Sequence, residues 1–103
     1  MNTTITARHC EISDELRTRA EEVLGRLGSL TDRPVDGAVV FDVAPNLWQV
    51  EIRLHISRGD IFVGTGEEKD HRTALDRAEE KVRRQLDKFE PSKKGRRPLK
   101  DAV

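Results

Sequence analysis

Apolar and polar residues recur along this chain with two different periods, and the switches between them mark six elements. Thr3, Ile5 and Ala7 alternate with Thr4, Thr6 and Arg8, a short strand rich in β-branched residues, before a turn over residues 9–12. The period then changes. Ser13 is placed as an N-cap with Asp14 and Glu15 in the first turn, and Leu16, Ala20, Val23, Leu24 and Leu27 follow at helical spacing until Gly28 offers a stop. Residues 31–37, with Pro34, read as a connecting loop, after which Val39, Phe41 and Val43 alternate with Ala38, Val40 and Asp42 as a second strand. Pro45 and Asn46 form a turn. The clearest strand comes next, with Trp48, Val50, Ile52, Leu54 and Ile56 expected to face the core and Gln49, Glu51, Arg53, His55 and Ser57 to face water. Residues 58–60 turn again, and Ile61, Val63 and Thr65 define a fourth strand ending at Gly66. A last helix opens at Asp70, carries Leu75, Ala78, Val82, Leu86 and Phe89 on one face, and ends at Pro91.

The order β-α-β-β-β-α predicts an α+β fold, a two-layer sandwich with a four-stranded mixed sheet. Two one-faced helices cover one sheet face and leave the other exposed. The helical crossover makes the first two strands parallel, and the hairpins make the rest antiparallel. A single domain over residues 1–90 is expected, with residues 91–103 as a basic, flexible tail.

Composition removes several function classes. No apolar run is long enough to span a membrane, and residues 1–5 lack the basic start and apolar stretch of a secretory signal, so a cytoplasmic protein is expected. The lone Cys10 and three dispersed histidines offer no disulfide and no zinc spacing, so no metal or cofactor is expected.

Charge adds the feature with most functional content. The chain is neutral overall, but residues 1–80 carry 10 Lys plus Arg against 16 Asp plus Glu, whereas residues 81–100 carry 9 against 2. Such asymmetry points to an end that meets a polyanion. On a helical wheel Arg77, Lys81, Arg84 and Lys88 fall in a stripe about 60° wide, set about 130° from the apolar stripe. Acids Asp76, Glu80 and Asp87 border only one side of it. An ordinary solvated face would show the same i, i+4 pairs. The row continues, however, into Lys93, Lys94, Arg96 and Arg97, and cations running from a rigid helix into a tail can follow a phosphate backbone and release its counterions.

Other candidate chemistry is weak. Gly64-Thr65-Gly66 resembles part of a dinucleotide fingerprint, but Lys69 holds the third glycine position and Asp70 stands where a phosphate would sit. Lys94-Gly95 has neither the glycine-rich lead nor the Ser or Thr of a P-loop. His9 and Cys10 are neighbours that would point apart, and the pairs Glu67-Glu68 and Glu79-Glu80 read as surface acids with no apolar pocket to raise a pKa. Arg53 and His55 read as solvated residues of the open sheet face. No enzyme and no small-molecule substrate are expected.

The chain resembles the short ribosome hibernation promoting factors, also called ribosome-associated inhibitors. Ile5-Thr6-Ala7-Arg8-His9 is similar to that family's opening strand and turn, and Ile12-Ser13-Asp14-Glu15-Leu16-Arg17 to the start of its first helix. Asp70 through Leu75-Asp76, with Lys81 and Gln85-Leu86-Asp87-Lys88, is similar to its last helix. The resemblance implies a fold similar to double-stranded-RNA-binding domains. It also implies a partner, the small ribosomal subunit and its ribosomal RNA, with the protein seated in the messenger and transfer RNA channel to inhibit translation in stationary phase or stress. It carries an RNA-facing role to Arg26, Lys81, Arg84 and Lys88, and also to Arg8 and His9. Val23 and Ser29 stand where the family's first helix usually carries lysine, and Arg72 where its last helix usually has tyrosine. Arg83 and the basic tail are candidates to compensate, so the full candidate set adds Arg77, Arg83, Lys93 and Lys94. A free monomer is expected, with no membrane partner. The family's description as a modulator of an alternative sigma factor leaves a second reading, a protein-binding regulator acting through the open sheet face.

Overall fold

Two side chains start the two helices. Ser13 Oγ accepts a hydrogen bond from the Leu16 amide at 3.0 Å, and Asp70 Oδ1 accepts one from the Thr73 amide at 2.8 Å, so each helix begins where an otherwise unsatisfied N–H finds a partner. The bonds from Thr73 hold the Asp70 carboxyl below the ordinary carboxylate range. The stability they contribute is therefore present above the unfolded pKa of about 4 and lost as pH falls through the lower folded value.

In the computed structural model, which describes residues 1–89, the elements are β1 (Asn2–Ala7), α1 (Asp14–Gly28), β2 (Pro34–Ala44), β3 (Leu47–Ile56), β4 (Ile61–Glu68) and α2 (His71–Lys88). A short 3-10 turn over Ser57–Gly59 joins β3 to β4. The strands lie in the order β1-β2-β3-β4, with β1 parallel to β2 and the other pairs antiparallel. Both helices cover one face, so the α+β two-layer sandwich is the observed fold. Its core consists of Ala20, Val23, Leu24 and Leu27 from α1, Val39 and Phe41 from β2, and Val50, Ile52, Leu54 and Ile56 from β3. Phe62 of β4 and Ala74, Leu75, Ala78, Val82 and Leu86 of α2 complete it. The proposed tail, including Lys93 and Lys94, and the stop at Pro91 lie outside the described residues.

Four details differ from the sequence expectations. The second strand starts at Pro34, inside the expected loop, because Arg33 turns the chain with φ 59° and its carbonyl accepts from the Ser57 amide at 3.1 Å. Gly28 stays helical and Ser29 is the C-cap, its amide bonded to the Gly25 carbonyl. Trp48 faces the helix side, as its register requires, yet is 40% exposed, because it pairs with Glu68, before α2 begins at His71. Its indole packs edge to face on the His71 ring at 4.8 Å, and His71 Nε2 is 2.8 Å from the Asp42 carbonyl oxygen.

The fourth difference lies in β4, where Phe62, Gly64 and Gly66 face the helices and Ile61, Val63 and Thr65 face the open side. Gly64 and Gly66 let the α2 backbone lie directly on the strand. A Cβ at Gly64 would stand 2.6 Å from the Ala78 carbonyl oxygen, and one at Gly66 would land on that of Ala74. The glycines thus have a packing role. Gly66→Ala is expected to destabilise the fold by about 1–3 kcal/mol, because the methyl meets backbone that cannot rotate away. Gly25→Ala, where nothing lies within 4 Å, is expected to stabilise α1 by roughly 0.5–1 kcal/mol. Urea midpoints that moved in the same direction for both variants would contradict this packing.

Candidate nucleic-acid interface

The buried stripe of α2 determines where its cations stand. With Ala74, Leu75, Ala78, Val82 and Leu86 against the sheet, Arg77, Lys81, Arg84 and Lys88 are all exposed. The stripe runs along the β4 margin of the helix: a Cβ at Gly66 would stand 3.0 Å from that of Arg77, and one at Gly64 would stand 3.1 Å from that of Lys81. Gln85 fixes this margin, donating from Nε2 to the Val63 carbonyl at 2.6 Å and accepting from the Val63 amide at 3.2 Å, so the helix covers the outer edge of β4.

Acids neutralise part of the stripe. Arg77 pairs with Glu68 at 3.0 Å and lies 3.9 Å from Glu80, and Arg84 pairs with Glu80 at 3.2 Å. Lys81 and Lys88 make no ion pair among the described residues. Exposed pairs contribute only about 0–1 kcal/mol, so Arg77 and Arg84 can exchange a carboxylate for a phosphate at small cost.

Arg26 and Arg83 occupy a different place, the seam between the helices. Both bond Glu79, which the sequence presents as a surface acid beside Glu80 but which the structure buries. The hydrogen bonds to Glu79 raise the Arg26 pKa further above its ordinary value. A second inter-helix pair, Arg19 to Asp76 at 2.9 Å, lies on the same seam. These pairs follow the same order along both helices, so α1 and α2 run in the same direction.

Arg8 and His9 stand apart from both groups, after β1 and next to the start of α2 rather than its end. Arg8 approaches Asp42 at 3.5 Å, and His9, at φ 60°, places Nδ1 3.1 Å from the same carboxylate. The Val43 amide, followed by His9, holds the Asp42 carboxyl below its ordinary pKa. Thus the structure brings together Arg77, Lys81, Arg84 and Lys88 on the β4 margin of α2, sets Arg26 and Arg83 on its opposite flank at the seam with α1, and separates Arg8 and His9 from both.

Little else in the described residues has the makings of a site. An open groove of about 700 Å³ between the helix N-termini is lined by Asp14, Glu15, Glu22 and Asp70 against Arg19 and Arg72, an acidic balance unsuited to phosphate. No cluster of three His, Cys, Asp or Glu side chains among the described residues is placed to hold a metal, and no described helix is long and apolar enough to cross a membrane. Burial raises the pKa of the Cys10 thiol, the reverse of what activates a nucleophile.

Residues 3–94 match the family described as "Sigma 54 modulation protein / S30EA ribosomal protein". Among characterised relatives, ribosome-associated factor Y of Haemophilus influenzae is 29% identical over 105 residues, spanning 99% of this chain and 97% of its own. Ribosome hibernation promoting factor of Azotobacter vinelandii is 29% identical over 107 residues, spanning 100% and 99%. Among solved structures, the N-terminal domain of Thermus thermophilus Protein Y superposes with a TM-score of 0.73 at 29% identity, over 84% of this chain and 96% of that domain. A ribosomal subunit interface protein from Coxiella burnetii superposes with a TM-score of 0.77 at 23% identity, over 85% and 96%, a likeness of fold.

Proposed function

The chain belongs to the sigma 54 modulation protein / S30EA ribosomal protein family, and from that premise we propose that it is a ribosome hibernation factor. It binds ribosomal RNA in the messenger and transfer RNA channel of the small subunit and inhibits translation in stationary phase or stress. Full-length relatives named for ribosome association and hibernation support the class of function. The observation that carries the RNA contact is the row Arg77, Lys81, Arg84 and Lys88, fixed on a helix whose other face is core. Cations on a rigid helix lose little conformational freedom on meeting phosphates, and each contact releases a counterion.

In this reading residues 1–90 are the ribosome-binding domain of a cytoplasmic monomer. Residues 91–103, with Lys93 and Lys94, extend the cation row along the RNA backbone. Arg8 and His9 form a second, separate RNA contact. The protein acts by occupancy, without turnover, cofactor or small-molecule substrate. Inhibition in a cell-free translation system is therefore expected to be stoichiometric, complete at about one protein per ribosome. Trace protein silencing many ribosomes each would sink the occupancy mechanism.

The open sheet face favours one second reading. Ile61 is 52% exposed there, Val63 next to it on the same face is half-buried, and Val40, two strands away, is half-buried as well, which suits a protein partner such as a sigma factor. Ribosome binding that survives removal of the α2 cations would select that reading.

A further inference from the structure

Glu79 is buried on α2 with its carboxylate on the α1/α2 seam, where it receives two guanidinium groups rather than one. Arg26 donates from Nε to Oε2 and from Nη2 to Oε1, each at 3.1 Å, and Arg83 donates from Nη2 to Oε2 at 3.1 Å. One carboxylate would satisfy one bidentate arginine, so the cluster keeps a charge of about +1. Two nitrogens share Oε2, so the guanidiniums lie within roughly 6 Å of each other, a spacing their mutual repulsion would oppose without the acid between them. The carboxylate is only 12% exposed, whereas the Arg26 and Arg83 side chains are 49% and 42% exposed. Of about ten guanidinium N–H donors, three point at Glu79; the rest have no acceptor among the described residues. Glu22, four residues before Arg26, and Glu80 and Asp87, three before and four after Arg83, make no ion pair with the two arginines, Glu80 pairing instead with Arg77 and Arg84.

We propose that Glu79 is a positioning residue that holds Arg26 of α1 and Arg83 of α2 as one two-guanidinium fork for a single phosphate of an RNA backbone. The fork rests on the ribosomal RNA reading given above and adds to it a phosphate site spanning both helices. Planar guanidiniums recognise phosphate bidentately, and a pair already held side by side loses less freedom on binding than two independent arginines. Glu79 thereby strengthens binding to a polyanion although it is itself an anion.

That sign separates the proposal from simple charge bookkeeping. The test is a sedimentation titration of the full chain against purified bacterial ribosomes across a salt series, for the wild type, Glu79→Gln and Arg83→Lys. Glu79→Gln makes the protein one unit more positive, so a charge-only account requires tighter binding and a steeper salt dependence. The fork requires about tenfold weaker binding, with the log-log salt slope flattened by about 1. Arg83→Lys keeps the charge but not the planar fork, and its half-exposed position accommodates lysine without a change of fold. A several-fold loss is expected there too. Unchanged or tighter binding by Glu79→Gln, or wild-type binding by Arg83→Lys should Glu79→Gln fail to fold, overturns the fork while leaving the ribosome reading in place. A wild-type protein that does not bind ribosomes at all overturns that reading instead.

Discussion

Charge reversal of Lys81, Arg84 and Lys88 together is expected to abolish ribosome binding and leave the stability of the fold nearly unchanged. All three side chains are exposed on α2, and among the described residues the only ion pair lost is Arg84 with Glu80, worth about 0–1 kcal/mol. If five or six phosphates are neutralised in the wild-type complex, affinity falls with salt at a log-log slope of about −4 to −5. Losing three contacts flattens that slope by about 2 to 3. Binding isotherms at several salt concentrations, alongside a thermal melt of each protein, separate lost contact from lost fold. A folded triple variant with wild-type affinity and slope would exclude this helix as the contact surface and favour the sheet-face regulator.

A second large effect is expected in the core. Ile52 is fully buried at the centre of β3, paired with Val39 on one side and Gly64 on the other, beneath the helices. Replacing it with alanine removes burial and leaves a cavity that the flanking backbone closes only in part, at a cost of about 2–5 kcal/mol. Equilibrium urea denaturation measures this directly. A cost near zero would place that side of β3 in solvent, which inverts the strand register and with it the face that the helices cover.

What the sequence revealed depended on how local the determining interaction was. β3 was legible because its alternation is unbroken over ten residues, and the α2 stripe because residues three and four apart share a helix face. The buried face of β4 was hidden, since two of its three buried positions, Gly64 and Gly66, carry no side chain to signal burial. The β-branched residues that identified the strand face the other way. Trp48 followed its strand's pattern, but its exposure was decided by α2 starting only at His71. The burial of Glu79 was out of reach because one of its two partners, Arg26, lies 53 residues away on another helix. A nearby i, i+4 arginine alone is what any exposed helical acid shows. Arg8 and His9 came from family resemblance, which carried residue types but not the distance between their corner and the far end of α2.

The central claim, that this domain is a ribosome-bound inhibitor reading RNA through its helix-borne cations, is tested most directly by sucrose-gradient sedimentation of a stationary-phase lysate with the protein traced across fractions. The account predicts co-migration with small-subunit-containing particles at low salt and progressive release to the top of the gradient as salt is raised. Protein confined to the top fractions at low salt, with intact ribosomes sedimenting below it, would contradict the account.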